Sequence, residues 1–291
     1  MAKKYSLAIV LVNYNGSFWL KKTLSSLYDY YLKKTKNKVE VWLVDNASTD
    51  DSLVMTKENF PQVKIIAAHE NLGFAKANNL ALKEIETDYI MLLNSDTQLD
   101  ERSQIDQLIN YLDANRDVGL ISPKLILTHG EIDPACHRGE PTLWASLTYF
   151  LKLEKLFPRC RLFNQYHLWH LDLNQIHEVQ AVSGAAVITP KQAFDKVGLL
   201  DEDFFLYAED LDWCKRYRDQ DYKIIYYPDV IITHHKNKSG IDNQDAKIKS
   251  KSRAYFYQTM LQYYDKHYSQ KYPQWLRSLI KSFIFIKKEG F

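Results

Sequence analysis

Glycine is scarce in this 291-residue chain, at 9 residues, and none stands in a G-x-G-x-x-G or G-x-x-x-x-G-K-[ST] pattern. A bound nucleotide is therefore not expected to rest on a glycine-rich phosphate loop. Cysteine is sparser still. Cys136, Cys160 and Cys214 are odd in number, widely spaced and without a C-x-x-C pair. That argues against zinc and against a disulfide framework, and favours a reducing compartment. An excess of one charge is also missing. The net charge is only +2, so no broad basic field argues for nucleic acid as a partner. Long apolar runs are absent: no stretch of roughly 18 uninterrupted apolar residues offers a membrane span. The opening "MAKKYSLAIVLVNYNG" lacks a small-residue cleavage site and reads as a first strand rather than a signal peptide. The expected location is cytoplasmic, with a peripheral place on the inner face of the membrane left open.

What the chain does have is an ordinary core fraction. Hydrophobic residues make up 46% and charged residues 25%, enough for one large or two small domains. Its 20 tyrosines suit contact with sugar or lipid headgroups, or equally a tyrosine-rich core.

Two periodicities alternate over the first part. Continuous apolar runs at 6–14, 39–46, 63–68, 88–94 and 118–123 read as buried strands. Helical spacing occupies 18–34, 48–60, 73–85 and 102–115. Ser48, Thr49 and Asp50 are good helix caps. Such alternation predicts an α/β fold with a mostly parallel, Rossmann-like sheet flanked by helices. After Pro123 the rhythm breaks, and 124–178 reads as an inserted, partly helical region. A returning strand is expected at 179–189, a short helix at 190–198 and another at 208–220. One or two strands follow at 222–235, then a long C-terminal helix.

Ligands bind open α/β sheets outside the carboxyl ends of the strands. Polar residues gather at those ends: Asn13 and Tyr14, then Asp45, then Asn71, then Asn94, Ser95 and Asp96. Any one of them suits a turn. Asp96 in particular reads either as a turn residue or as an acid aimed at a ligand. A carboxylate beside a diphosphate needs a divalent cation between them, so the second reading implies Mg²⁺ or Mn²⁺. Glu209, Asp210 and Asp212 crowd one helix start, where acids also serve as caps. His234 and His235 end an apolar strand, and one of the pair is free to face the site.

Seven segments, in order, carry a resemblance: "VNYNG" (12–16), "VDNASTDDS" (44–52), "ENLGFAKANN" (70–79), "LLNSDTQLD" (92–100), "VSGAAVIT" (182–189), "GLLDEDFFLYAEDLDWCKRYR" (198–218) and "HHKNKSG" (234–240). The chain resembles the glycosyltransferase family 2 enzymes of GT-A fold, on their rhamnosyltransferase-like branch, over about residues 5–240. The resemblance implies that Asp45 accepts the N3–H of a uracil or thymine ring, with Asn13 and Tyr14 lining the base and ribose pocket. Asn71, Phe74, Asn79, Asn94 and Ser95 would lie near nucleotide and sugar. Asp96 and His234 would hold Mg²⁺ or Mn²⁺, with His235 as the fallback. Asp210 would be the catalytic base beside Glu209, and Gly184, Trp213 and Arg216 would meet the acceptor. Ser95 stands where the family commonly has proline, and Asp221 where it commonly has glycine.

The implied organisation is a GT-A catalytic domain at 1–240, its nucleotide half about 1–123 and its acceptor half about 124–240, followed by a helical extension at 241–291. The implied reaction is an inverting transfer of a sugar, with dTDP-L-rhamnose the favoured donor, to a lipid-linked saccharide or growing polysaccharide. A UDP-hexose or UDP-galactofuranose donor, a nucleotidyltransferase and a non-catalytic sugar- or nucleotide-binding module are the rival readings. In the tail, Trp275, Leu279, Phe283 and Ile286 recur at helical spacing among basic residues. That suits a helix lying in a membrane interface, or one packed on protein or on a second copy of the chain.

Overall fold

The computed structural model describes residues 3–236 and 246–288. The run "SLAIVLVN" forms β1 (Ser6–Asn13), and Leu7, Ile9 and Leu11 are wholly buried. The burial is two-sided because β1 sits inside the sheet, paired in parallel with β2 (Lys38–Asp45) and β4 (Tyr89–Leu93). β3 (Lys64–Ala67) adds to β2, also parallel. Helices α1 (Ser17–Leu27), α2 (Ser52–Asn59), α3 (Phe74–Leu82) and α4 (Ile105–Ala114) cross between or follow these strands. The helical pattern read at 18–34 ends its α part at Leu27 and continues as one π turn, Tyr28–Leu32. Of the residues expected to cap α2, Asp50 accepts from the Ser52 amide at the helix start, and the group also bonds sideways. Asn13 donates to the hydroxyls of Ser48 and Ser52, and Asp50 accepts from the Ser17 amide. The sideways bonds join the loop after β1 to the loop after β2.

Beyond β4 the sheet is mixed, with short antiparallel strands added to the parallel ones. β5 (Thr97–Gln98), β6 (Val118–Leu127), β7 (His177–Val179), β8 (Ala186–Pro190) and β9 (Lys223–His234) complete the order β3-β2-β1-β4-β8-β6-β9-β5, with β7 on β9. β8 runs antiparallel to both β4 and β6, whereas β6 and β9 are parallel. The chain returns to β8 through an irregular excursion rather than a helical crossover, so it enters from the opposite end of the sheet. β6 extends past the expected Pro123 to Leu127. The ladder with β9 slips at Pro123, from a Tyr227 partner to Ile231 for the next residue. Pro123 and Pro228 both lack the amide that a regular ladder needs. The strand expected at 179–189 is two strands, β7 and β8, with a turn through Ser183 and Gly184 between them.

The excursion carries α5 (Leu143–Phe150) and α6 (Leu153–Leu156). α7 (Lys191–Val197) starts directly after Pro190 and α8 (Glu209–Arg218) precedes β9. Asp221, three residues past α8, takes a left-handed backbone with φ +62°, as expected for a position that suits glycine.

The C-terminal region is α9 (Ala246–Tyr268) and α10 (Gln274–Lys288). α9 packs on the stretch before α8: Phe204, Ala208, Tyr263, Tyr264 and Tyr268 form a second small core. Phe205 stacks on Tyr255 with ring centroids 4.9 Å apart. Buried Asp212 on α8 pairs with Lys266 at 2.6 Å and His267 at 2.8 Å. In α10, Ile284 is buried and Ile280 leans on the same small core, while Trp275 and Leu279 are exposed. One face of the helix is thus packed on protein and another faces solvent. The side chains of Phe283 and Ile286 and residues 237–240 lie outside the described residues. Among the described residues no helix is long and apolar enough to cross a membrane.

Candidate active site

The paired strands β1 and β2 end in register, Asn13 opposite Asp45. Both side chains are buried, and each keeps one oxygen without a partner: Asn13 Oδ1 and Asp45 Oδ1. The other Asp45 oxygen accepts from the Ser48 amide at 3.0 Å. A buried acceptor left unmade costs about 1–3 kcal/mol, so two together mark a cradle for something that donates N–H. Tyr14 beside them is half exposed.

The turn after β4 is fastened from below. The Thr23 hydroxyl on α1 lies 2.8 Å from the Ser95 carbonyl and 2.7 Å from that of Thr97. The Asn94 amide donates to the Ala185 carbonyl. Asp96 is thereby held at the carboxyl edge, beside the switch point where strand order reverses between β1 and β4. The two-residue β5 then pairs Thr97 with His234 at the end of β9. That register sets His234 Nε2 3.3 Å from Asp96 Oδ1 and 3.4 Å from the side-chain Nδ2 of Asn94. His235 turns the other way, to Gln98 Oε1 at 3.1 Å and against the Trp19 ring. His234, not the fallback, faces Asp96.

Behind His234 stands Asp133, which sequence reading passed over. It is fully buried, 3.0 Å from His234 Nδ1 and 2.8 Å from Lys236 Nζ. Burial opposes its charge, yet the His234 hydrogen bond and Lys236 hold it well below the usual carboxylate range. Burial likewise opposes protonation of His234, but hydrogen bonds to Asp133 and Asp96 outweigh it and lift the imidazole to about 9. A carboxylate behind an imidazole fixes which ring nitrogen points forward, the arrangement that orients metal-binding histidines. Among the described residues no cluster of three or more His, Cys, Asp or Glu stands ready for a metal. Asp96 and His234 are one oxygen and one nitrogen donor. That set fits Mg²⁺ or Mn²⁺, which take remaining ligands from phosphate and water.

Across the cleft, α8 starts after two consecutive left-handed residues, Tyr207 at φ +71° and Ala208 at φ +66°. Such non-glycine conformations cost on the order of 1–3 kcal/mol each and persist where surroundings impose them. Here α9 and the second small core do so. Asp210 follows, mostly buried, with Oδ2 2.6 Å from Arg138 Nη2 and Oδ1 accepting the Leu211 amide. Arg138 is also anchored to the Val182 carbonyl at 3.0 Å. Neighbouring Glu209 is enclosed with Oε2 unpartnered; burial, then the Asp210 charge, push its carboxyl well above the ordinary range. Glu209 and Asp210 line a narrow crevice with Phe74, Ser183, Gly184 and Trp213. A side chain at Gly184 would meet the Phe74 ring at 3.2 Å, so the backbone passes close there.

Other expected site residues serve the scaffold. Asn79 is wholly buried and clamps both the amide and carbonyl of Leu200. Arg216 spends its guanidinium on Asp212 and on the carbonyls of Val197 and Leu199. Neither presents polar atoms to the cleft. Trp213 is buried, donates to the Gly198 carbonyl and contributes only a wall of the crevice. Asn71 accepts from Asn46 and from the Gly73 amide, which shapes the loop before α3. Sequence reading missed Asp133 and Arg138 because both lie in the irregular excursion. Asp133-Pro134 looks like a turn there, and Asp133 does accept the Ala135 amide.

Comparison with known proteins gives this arrangement its family. The family model described as glycosyl transferase family 2 matches residues 8–161, just over half of the chain. The N-acetylglucosaminyl-diphospho-decaprenol L-rhamnosyltransferase of Mycobacterium tuberculosis is 27% identical over 244 residues, covering 80% of this chain and 77% of the relative. Among solved structures, a mannosyltransferase from Pyrobaculum calidifontis in complex with GDP-mannose and Mn²⁺ aligns with a TM-score of 0.62 at 16% identity. The alignment covers 98% of this chain and 70% of that one. GalNAc-T7 with UDP, GalNAc and Mn²⁺ aligns with a TM-score of 0.60 at 15% identity, over 81% and 44% of the two chains. At such identities these structures share the GT-A-type fold. The chain belongs to glycosyl transferase family 2, a family of glycosyltransferases, with a likeness to its rhamnosyltransferase-like branch.

Proposed function

We propose that the protein is an inverting, divalent-metal-dependent glycosyltransferase that moves L-rhamnose from dTDP-L-rhamnose onto a lipid-linked saccharide in cell-surface glycan synthesis. The observation that carries the reading is convergence. The unpartnered acceptors on Asn13 and Asp45, the Asp96–His234 pair and the Asp210 carboxylate all open on one edge of one sheet. The likeness to the mycobacterial N-acetylglucosaminyl-diphospho-decaprenol L-rhamnosyltransferase supports the transferred sugar and the class of acceptor.

In this reading Asp45 Oδ1 receives the N3–H of the base, and Tyr14 lies along base or ribose. A divalent cation bound by Asp96 and His234 would neutralise the charge that develops on the departing diphosphate. Asp133 holds the His234 ring in place. The acceptor hydroxyl oxygen attacks the anomeric carbon as the bond from that carbon to the diphosphate oxygen breaks. The electron pair leaves with the diphosphate, and the hydroxyl proton passes to Asp210. One displacement inverts the anomeric configuration and needs no second, nucleophilic carboxylate. Arg138 fixes the direction of the Asp210 carboxyl. Glu209, held neutral by burial and by its neighbour, does not compete for the proton.

The test is a nucleotide-sugar panel with a soluble N-acetylglucosaminyl-diphospho-lipid analogue, read by product mass and anomeric configuration, with and without EDTA. Rhamnosyl transfer that stops in EDTA and returns with Mg²⁺ or Mn²⁺ is expected. Full activity in EDTA removes the metal from the reading. Transfer from a UDP-hexose or UDP-galactofuranose alone replaces the donor.

A further inference from the structure

The excursion between β6 and β7 holds an apolar surface that the site chemistry does not use. Trp144, Leu147 and Leu151 fall within one stripe of α5 and its C-terminal residue, and all three are exposed. Ala145 and Thr148 of the same helix are buried. The left-handed Lys152 ends the helix and redirects the chain. The following turn exposes Leu156, Phe157 and Leu162 as well. These residues form one surface rather than scattered points. Trp144 Nε1 donates to the Leu162 carbonyl at 2.9 Å, Trp144 faces the Phe163 ring, and Phe163 faces Phe157 at 5.2 Å. The turn that carries the patch is therefore stitched to α5.

The charge around this surface has one sign. Residues 143–162 contain Lys152, Lys155, Arg159 and Arg161, all exposed. None of the four is within ion-pair distance of an acid among the described residues. The one acid of the segment, Glu154, is buried and bonded to His167 at 2.8 Å. An exposed tryptophan, phenylalanine and four leucines ringed by free cations have the make-up of an interfacial element on an anionic bilayer. Within residues 143–162 there is no exposed acid or amide of the kind a protein partner uses on its rim. The patch also adjoins the reaction crevice. Leu143, at the start of α5, packs on the small core that contains Ala208, immediately before Glu209 and Asp210.

We propose that residues 143–162 are the membrane-docking surface of this enzyme, seating Trp144, Leu147, Leu151, Leu156, Phe157 and Leu162 in the headgroup region of an anionic leaflet. Docked there, the Asp210 side of the cleft faces the bilayer, where a lipid-linked acceptor presents its sugar. The inference deepens the reading above, which supplies its reason. It stands or falls separately, because vesicle binding needs neither donor nor acceptor.

The full chain is floated with vesicles of phosphatidylcholine alone and of phosphatidylcholine mixed with phosphatidylglycerol. It should bind the anionic vesicles, less so in high salt. The variant Leu147→Ser/Leu151→Ser/Phe157→Ser and the variant Lys152→Glu/Lys155→Glu should each bind at least about tenfold more weakly, with melting temperatures near wild type. The charge variant alters only exposed lysines, so it remains informative if the serine variant folds poorly. Trp275→Ser/Leu279→Ser, on α10, should bind as wild type. Failure of the intact chain to float overturns the proposal. So does binding that survives both patch variants and is lost with the α10 variant. Sedimentation that shows a dimer split by the serine variant, with no vesicle binding, assigns the patch to a second copy instead.

Discussion

Replacing Asp133 by alanine should weaken divalent-cation binding although Asp133 itself is not a proposed ligand. Its two carboxylate oxygens meet His234 Nδ1 at 3.0 Å and Lys236 Nζ at 2.8 Å, in a position with no solvent exposure. With Asp133 present, Nδ1 is engaged from behind and Nε2 faces Asp96. Without it, the ring is free to rotate and either nitrogen can point forward. Loss of such a supporting carboxylate typically costs 10–100-fold in metal affinity, or roughly 1.4–2.7 kcal/mol. Stability should fall too, by about 3–5 kcal/mol, because a buried charge pair is broken from one side. Asp133→Asn separates the two effects. It keeps an acceptor for Nδ1 and loses only the charge, so its metal affinity should lie between wild type and Asp133→Ala. Mn²⁺ binding is read by electron paramagnetic resonance in the presence of a nucleoside diphosphate, at a temperature where thermal melts show every variant folded. Mn²⁺ affinity within about twofold of wild type for folded Asp133→Ala, while Asp96→Ala loses binding, would refute the orienting role.

Asp210→Asn keeps shape but accepts no proton, and should lower kcat roughly 10²-fold or more with donor affinity nearly unchanged. Glu209→Gln imitates a carboxyl that is already neutral, and should stay near wild type at pH 7; the opposite ranking of the two variants in steady-state kinetics reverses the assigned roles. Asp212 is buried, which opposes its charge, but His267 and Lys266 hold its carboxyl down at about 2. Because this folded value is depressed, the stabilisation is present above the unfolded value near 4 and is lost as pH falls toward 2. It amounts to roughly 2.5 kcal/mol at neutral pH, so urea melts of wild type and Asp212→Asn should differ at pH 7 and converge near pH 2. Asp45→Ala should weaken uridine and thymidine diphosphates alike in calorimetry, since both rings offer the same N3–H; selective loss of one would move base recognition elsewhere.

Much of this site was legible because its parts sit at the ends of continuous apolar runs. Strands β1, β2 and β4 begin and end within a residue or so of where the runs do; Asp45 closes β2 and Asp96 lies in the turn after β4. What escaped was whatever depends on a distant partner. The two-residue β5 has no period of its own and exists only because β9 lies beside it. Asp133 is buried by the end of β9, about a hundred residues away, and Arg138 is aimed by α8. Nothing near either residue in the chain records those neighbours. The converse error came from polar residues on helices: Asn79 and Arg216 carry the chemistry of a binding site but turn inward to tie loops together. The antiparallel direction of β8 escaped for the same reason, since it is set by an excursion with no helical period.

The contact between the loop before α3 and the stretch before α8 bears on how such enzymes can be recombined. Gly73, at φ +79°, presses its backbone so close to Phe205 that a β-carbon there would lie 2.3 Å from the Phe205 carbonyl oxygen. The same carbonyl accepts the Phe74 amide at 2.8 Å. Segments 70–74 and 204–208 are therefore a matched pair, although more than a hundred residues separate them. A chimera cut after residue 123, with each half from a different relative, would bring together surfaces that never fitted. The exchange should succeed only when both segments come from one parent, so a swap that replaces either segment has to carry the other along with it.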